Sequence, residues 1–147
     1  MRTAVVTGAA QGLGLETATV LARQGYEVVL TDVQPLDAAV ARLADVGLKA
    51  RGIVGDVASE EFVESLAARI AADYGAADAL VNNAGVSLIQ PAESTTSAQW
   101  RRVIDINLLG PFLLCRALGS QMLARGGGSI VNVASIAGLR GVIHRAA

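Results

Sequence analysis

Strand-length apolar runs and helix-length amphipathic stretches succeed one another along the whole chain. Residues 3–7, 27–31, 49–54, 79–82 and 129–134 read as five strands. Their apolar residues run on without alternating with polar ones, which implies a parallel sheet covered on both faces. Between the first two runs, residues 12–24 carry Leu13, Thr17, Val20 and Leu21 at helical spacing and stop at Gly25. Pro35 opens a second helix with Leu36, Val40 and Leu43 inward, ending near Gly47. Ser59 is placed as the N-cap of a third, with Glu60 and Glu61 in its first turn and Phe62, Leu66 and Ile70 facing the core. Thr96-Ser97-Ala98-Gln99 has capping-box spacing and opens a long fourth helix that Gly126-Gly127-Gly128 ends. The alternation predicts an α/β fold with a doubly wound parallel sheet, built as a single domain over 1–147.

The break between the first strand and the first helix carries the most chemistry. Gly8, Gly12 and Gly14 stand in a Gly-x-x-x-Gly-x-Gly run, Thr7-Gly8-Ala9-Ala10-Gln11-Gly12-Leu13-Gly14. Bare backbone N–H groups at a helix N-terminus bind phosphate without a basic side chain, and the glycines permit the tight turn and close approach of a diphosphate. Asp32 stands at the tip of the second strand, about twenty residues after the glycines, where an acid can accept from the ribose hydroxyls of a dinucleotide. Val33, Gln34 and Pro35 follow it, with no Arg or Lys beside it to hold a 2′-phosphate, so NAD is expected over NADP. The plainer alternative is that Asp32 merely starts the turn into the next helix. Together these features predict a dinucleotide-binding Rossmann-type sheet ordered 3-2-1-4-5.

Composition narrows the picture. The 147 residues are 52% hydrophobic with a formal net charge of −1, and no basic stripe offers a surface for nucleic acid. Cys115 is the single cysteine, which excludes an internal disulfide and suits a reducing, cytoplasmic setting. The first strand is read as beginning directly after Met1-Arg2, so no signal peptide is expected. No membrane span is expected, because Asn107, Gly110 and Pro111 should break the longest helix. His144 has no carboxylate or second histidine near it in sequence, and no metal site is expected.

In a sheet of this kind the ligand lies beyond the carboxyl ends of the strands. Each tip brings polar groups or glycines there: the glycine loop, Asp32, Asp56-Val57, Asn82-Asn83-Ala84-Gly85 and Ser135. Asn82 and Asn83 also suit a plain strand end, and Ser135 a plain loop. Asn107 sits mid-helix, where Asn is a poor choice, and Pro111 four positions on has no N–H for its carbonyl. A kink is expected there, with a carbonyl left to another donor, most simply water. Trp100, Val103, Ile104, Phe112, Leu113 and Leu118 cover more than one face of this helix, which predicts a contact between subunits.

The glycine run, Asp56-Val57, Asn82-Asn83-Ala84-Gly85, Asn107 within Ile106-Asn107-Leu108-Leu109-Gly110, and Gly128 through Ser135 occur in one order over nearly the whole chain. In this the chain resembles the short-chain dehydrogenase/reductase family. The resemblance implies that Gly8, Gln11, Gly12, Leu13 and Gly14 hold the cofactor's diphosphate. It implies that Asp56 bonds the adenine amino group, that Val57 contacts the same ring, and that Asn83, Ala84 and Gly85 line the adenosine ribose. Asn107 would anchor a water of a proton relay, and Ser135 would position the substrate's carbonyl oxygen. The helix over 97–125 would pair subunits in a homodimer or homotetramer. The reaction implied is hydride transfer between NAD and a small secondary alcohol or ketone. The family's proton donor is a tyrosine followed four residues on by a lysine, and no such pair occurs: the tyrosines are Tyr26 and Tyr74, read as edges of the first and third helices, and the lysine is Lys49. The residues 1–147 by themselves are therefore expected to be inactive. The alternative is a nucleotide-binding fragment or pseudoenzyme without chemistry.

Overall fold

The structure, a computed structural model, describes residues 2–147. Five parallel strands, β1 (Arg2–Thr7), β2 (Tyr26–Asp32), β3 (Ala50–Val54), β4 (Ala79–Asn82) and β5 (Ser129–Asn132), form one sheet in the order β3-β2-β1-β4-β5. This is the doubly wound order expected. Helices α1 (Gly12–Arg23) and α2 (Asp37–Ala44) cover one face, and α3 (Glu60–Tyr74) covers the other. With α3 lies a continuous helical run made of α4 (Ser97–Ile104), a π turn (Asp105–Leu109) and α5 (Gly110–Arg125).

Side-chain alternation divides the core between the two faces. Ala4, Val6, Val28, Leu30 and Val81 pack with Leu15, Ala18 and Leu43 on the α1–α2 side. Val5, Val29 and Leu80 pack with Leu66, Ile70, Leu114 and Leu118 on the α3–α5 side. Each buried valine, leucine or isoleucine among them contributes about 1.5–3 kcal/mol by leaving water. Coverage on both faces holds for β1, β2 and β4. It is incomplete at the two edge strands: in β3 only Ile53 is buried, and in β5 all four residues are exposed. Tyr26 begins β2 instead of edging the first helix, and stacks under the Arg2 guanidinium, 4.2 Å from the ring centre.

Two helices differ from their expected form. The buried stripe of α1 is Gly14, Leu15, Ala18, Thr19 and Ala22, whereas Leu13 and Val20 are 64% and 55% exposed. Small residues face the sheet because α1 lies almost in contact with β1: a Cβ on Gly14 would stand 2.2 Å from the Gly8 carbonyl oxygen. The long helix bends its hydrogen bonding without breaking. Pro111 brings no N–H, and the chain widens into the π turn, where the Gly110 N–H reaches back to the Asp105 carbonyl. The expected interruption of the apolar run is thus absent. Ser97–Arg125 is 29 residues long and, by length and composition, apolar enough to cross a membrane. In the fold its Val103, Ile106, Leu113, Leu114, Leu118 and Met122 are buried against the domain.

Candidate functional site

A cleft of about 300 Å³ opens at the carboxyl ends of β1 to β4. The β1–α1 loop contributes Gly8 and Gln11 to its wall. Gly8 has φ of +63° and Gly12 of +57°, a backbone region that glycine enters without the penalty a side chain carries. Gly8 also needs the absence of a side chain for packing, since a Cβ there would lie 2.8 Å from the Ala84 Cα. Asn83 ties the loop to the neighbouring strand. Its Nδ2 donates to the carbonyls of Thr7 at 2.9 Å and Gly8 at 3.2 Å. The Thr7 hydroxyl accepts in return from the backbone N–H groups of Asn83 and Ala84. The tips of β1 and β4 are locked together, and the loop is held open beside them. Gln11 precedes α1 in an extended conformation, no side chain among the described residues caps the helix, and no acid stands in its first turn. Its first N–H groups therefore point outward at the positive end of the helix dipole.

Two carboxylates stand on the same wall. Asp32 lines the cleft where β2 leaves the core, directly after the buried Val28–Thr31 segment. Its Oδ2 accepts from the Ala10 N–H and its Oδ1 from the Gln34 N–H, both at 3.0 Å. The first bond also braces the glycine loop. Asp56 follows β3, and its Oδ1 accepts from the Ala58 N–H at 3.0 Å. Its Oδ2 accepts from Nη1 of Arg102, on α4, at 2.8 Å. Partial burial pushes the Asp56 carboxyl up, but the Ala58 N–H and the Arg102 guanidinium outweigh it and hold the group below the usual carboxylate range. Asp56 is thus an ionised acceptor throughout the neutral range.

Asn107 lies in the π turn, away from the cleft wall but joined to it. Its Oδ1 accepts from the Val86 N–H at 2.9 Å and its Nδ2 donates to the Val86 carbonyl at 2.8 Å. Both amide ends are used on one residue, as in a strand pair, so the helix holds the segment after β4 against the cleft that Val86 lines. Ser135 follows β5 at an exposed position. Its Oγ accepts from the Ala137 N–H at 3.2 Å and caps a short 3₁₀ turn, Ile136–Gly138.

A family model described as short chain dehydrogenase matches residues 2–147. The chain belongs to the short-chain dehydrogenase family. A D-threitol dehydrogenase of Mycolicibacterium smegmatis is 41% identical over 136 residues, covering 91% of this chain and 52% of that protein. A cis-4-hydroxycyclohexanecarboxylate dehydrogenase of Sinomonas cyclohexanicum is 45% identical over 142 residues, covering 95% and 57%. The crystal structure of a metagenomic short-chain oxidoreductase in complex with NADP superposes with a TM-score of 0.93 at 36% identity, covering 99% of this chain and 66% of that one. The chain spans little more than half the length of these curated relatives.

Within this short-chain dehydrogenase fold, the cleft gathers Gly8, Gln11, Asp32, Asp56, Val57, Asn83, Ala84 and Gly85. Gly12, Leu13 and Gly14 do not line it. Gly12 supplies the turn, and Gly14 is buried beneath the Gly8 carbonyl. Asn107 and Ser135 also lie outside the lining. Arg102, Gly55 and Ile106 also line it, with no site role suggested by the sequence, beside Val33 and Val86. For Arg102 a signal existed: it is four residues before Ile106, so helical spacing puts both on the side turned toward β3. Among the described residues no group of three or more His, Cys, Asp or Glu side chains could hold a metal ion.

Proposed function

We propose that these residues form the dinucleotide-binding part of an oxidoreductase that interconverts a small secondary alcohol and a ketone with NAD as hydride carrier. The cleft carries the reading: a glycine loop with an uncapped helix N-terminus and two tethered carboxylates open on one side of a doubly wound sheet. The cofactor, when bound, supplies or accepts the hydride at the carbinol carbon. Gly8, Gln11, Gly12, Leu13 and Gly14 hold its diphosphate through backbone N–H groups. Asp32 accepts from the adenosine ribose hydroxyls, Asp56 and the Val57 backbone take the adenine, and Asn83, Ala84 and Gly85 form the wall beside that ribose.

Asn107 spends its side chain on Val86, so a relay water would be held by its backbone carbonyl, which has no N–H at Pro111 to accept from. Ser135 orients the substrate oxygen. Neither is an acid able to protonate an alkoxide, and no tyrosine stands four residues before a lysine in this sequence. Residues 1–147 alone are expected to bind cofactor without turning over. The substrates named for two relatives, D-threitol and cis-4-hydroxycyclohexanecarboxylate, are small hydroxylated molecules, which supports a small alcohol here. Trp100, Leu108, Phe112 and Leu123 are exposed along the 97–125 helix and favour pairing of subunits in a homodimer or homotetramer through it. The one cysteine, Cys115, is free, which favours a cytoplasmic setting.

The preference for NAD rests on Asp32 itself. A ribose 2′-phosphate would meet a carboxylate already fixed by two backbone donors, with no cation at Val33, Gln34 or Pro35 to offset it. Calorimetry with NAD and NADP tests both statements. NAD should bind more tightly than NADP, and Asp32→Ala should weaken NAD about tenfold and narrow the gap. Binding of neither dinucleotide sinks the reading, and an unchanged preference in the variant removes Asp32 from the ribose.

A further inference from the structure

Among the described residues Arg102 is the one cationic side chain on the cleft wall, and it reaches there from α4, which contributes no other charge to the lining. Its partner Asp56 is gripped from two sides. One oxygen takes the Ala58 N–H, and the other takes the guanidinium at 2.8 Å. Both side chains remain partly exposed, 52% for Arg102 and 34% for Asp56, and an ion pair so placed adds little to stability. Its consequence lies in geometry. A carboxylate with one donor on each oxygen cannot rotate freely, yet each oxygen keeps a second lone pair for another donor. The free lone pairs belong to a residue that itself lines the cleft.

We propose that Arg102 is a positioning residue for base recognition: clamped between Arg102 and the Ala58 N–H, Asp56 presents a fixed acceptor that admits an exocyclic amino group and rejects an oxo group at the same place. The proposal rests on the reading of this cleft as the adenosine site. Adenine meets Asp56 with its 6-amino donor. Hypoxanthine, otherwise the same shape, meets it with a 6-oxo acceptor, and two acceptors face each other without a proton between them. Arg102 acts only through Asp56 in this scheme. Removing it leaves Asp56 held on one oxygen and free to turn, so its acceptor is no longer fixed where the oxo group would meet it. Discrimination between the bases then fades.

The test measures NAD and nicotinamide hypoxanthine dinucleotide binding by calorimetry on the wild-type chain, Arg102→Gln and Arg102→Lys, with thermal melting alongside. The wild type should favour NAD by about tenfold or more, the scale of one hydrogen bond to a charged group. Arg102→Gln should weaken NAD and bring the two dinucleotides within about threefold of each other, while its melting temperature stays within about 2 °C. Arg102→Lys keeps the charge but loses the planar fork, and should fall between them. If Arg102→Gln binds NAD with the wild-type preference intact, Arg102 does not position Asp56. A melting point lowered by more than about 5 °C makes Arg102 a structural residue and overturns the assignment. A wild type that binds neither dinucleotide fails at the cofactor reading itself, a result distinct from NAD binding without base preference.

Discussion

Helices α1 and α3 both leave the sheet at its carboxyl edge, and they begin in opposite ways. At α3 the Ser59 hydroxyl accepts from the Phe62 N–H, and Glu60 and Glu61 stand in the first turn against the helix dipole. That helix satisfies its own N-terminus. At α1 Gln11 makes no side-chain bond, no acid follows, and the approach runs through two glycines in the left-handed region. Capping is worth about 1 kcal/mol and was available at both ends from a one-residue choice. The difference separates a helix that serves only the fold from one whose donors are kept for something outside it. In the proposed reading that something is the cofactor's diphosphate.

The comparison can be broken most severely at Gly14. A Cβ there would meet the Gly8 carbonyl oxygen at 2.2 Å and Asn83 Nδ2 at 2.6 Å, the first a backbone atom and the second the end of a side chain tied to the Thr7 and Gly8 carbonyls. Gly14→Val must push α1 off β1, taking the loop and the Asn83 brace with it. Overpacking of this kind costs about 3 kcal/mol, the upper end of its usual range, and dinucleotide binding should be lost with it; melting and calorimetry check both. A variant that melts like the wild type would mean that α1 does not lie where the contacts put it. At α3 the corresponding lesion is milder and of another kind. Ser59→Ala should cost about 1 kcal/mol, or roughly 2–4 °C in melting temperature, and leave NAD affinity alone. A large loss of NAD affinity would erase the distinction between the two helices.

Much of this was legible in local chemistry. The Ser59 cap, the Thr96–Gln99 capping box and the helix end at the 126–128 glycines depend on residues within a few positions, and the strand order follows from the alternation of strand and helix; the structure has each of them. What escaped depends on distance. Helical spacing puts Leu13, Thr17, Val20 and Leu21 on the α1 stripe, whereas the tight approach at Gly14 brings Ala18 and Ala22 to the sheet together with Leu15. That choice needs the helix-to-strand distance, which no periodicity encodes. Arg102 and Asp56 are 46 residues apart, and only the packing of α4 beside β3 makes them partners. The π turn was foreshadowed by Pro111, but the use of both ends of the Asn107 amide on Val86 was not, because a loop has no period to read. The cleft residues named from the strand tips reached the wall where short segments delivered them, as with Asp32 and Asn83. Ser135, beyond the open strand β5, did not.

The subtlest change runs the comparison in reverse and gives α1 the cap that α3 already has. Gln11 is extended, with φ of −158° and ψ of 179°, the backbone region a capping residue occupies. Gln11→Asp needs no rearrangement to turn a carboxylate onto the first N–H groups of the helix, and it adds a negative charge at the positive end of the dipole. By the chemistry of caps the chain should gain about 0.5–1 kcal/mol of stability. By the proposed function it should lose NAD affinity, since the new carboxylate takes the donors meant for the diphosphate and repels it as well. Stability and binding would then move in opposite directions from a single side chain, as expected where a site is left unsatisfied for the sake of its ligand. A Gln11→Asp chain that is more stable and binds NAD as before would show that the open end of α1 is only a missing cap.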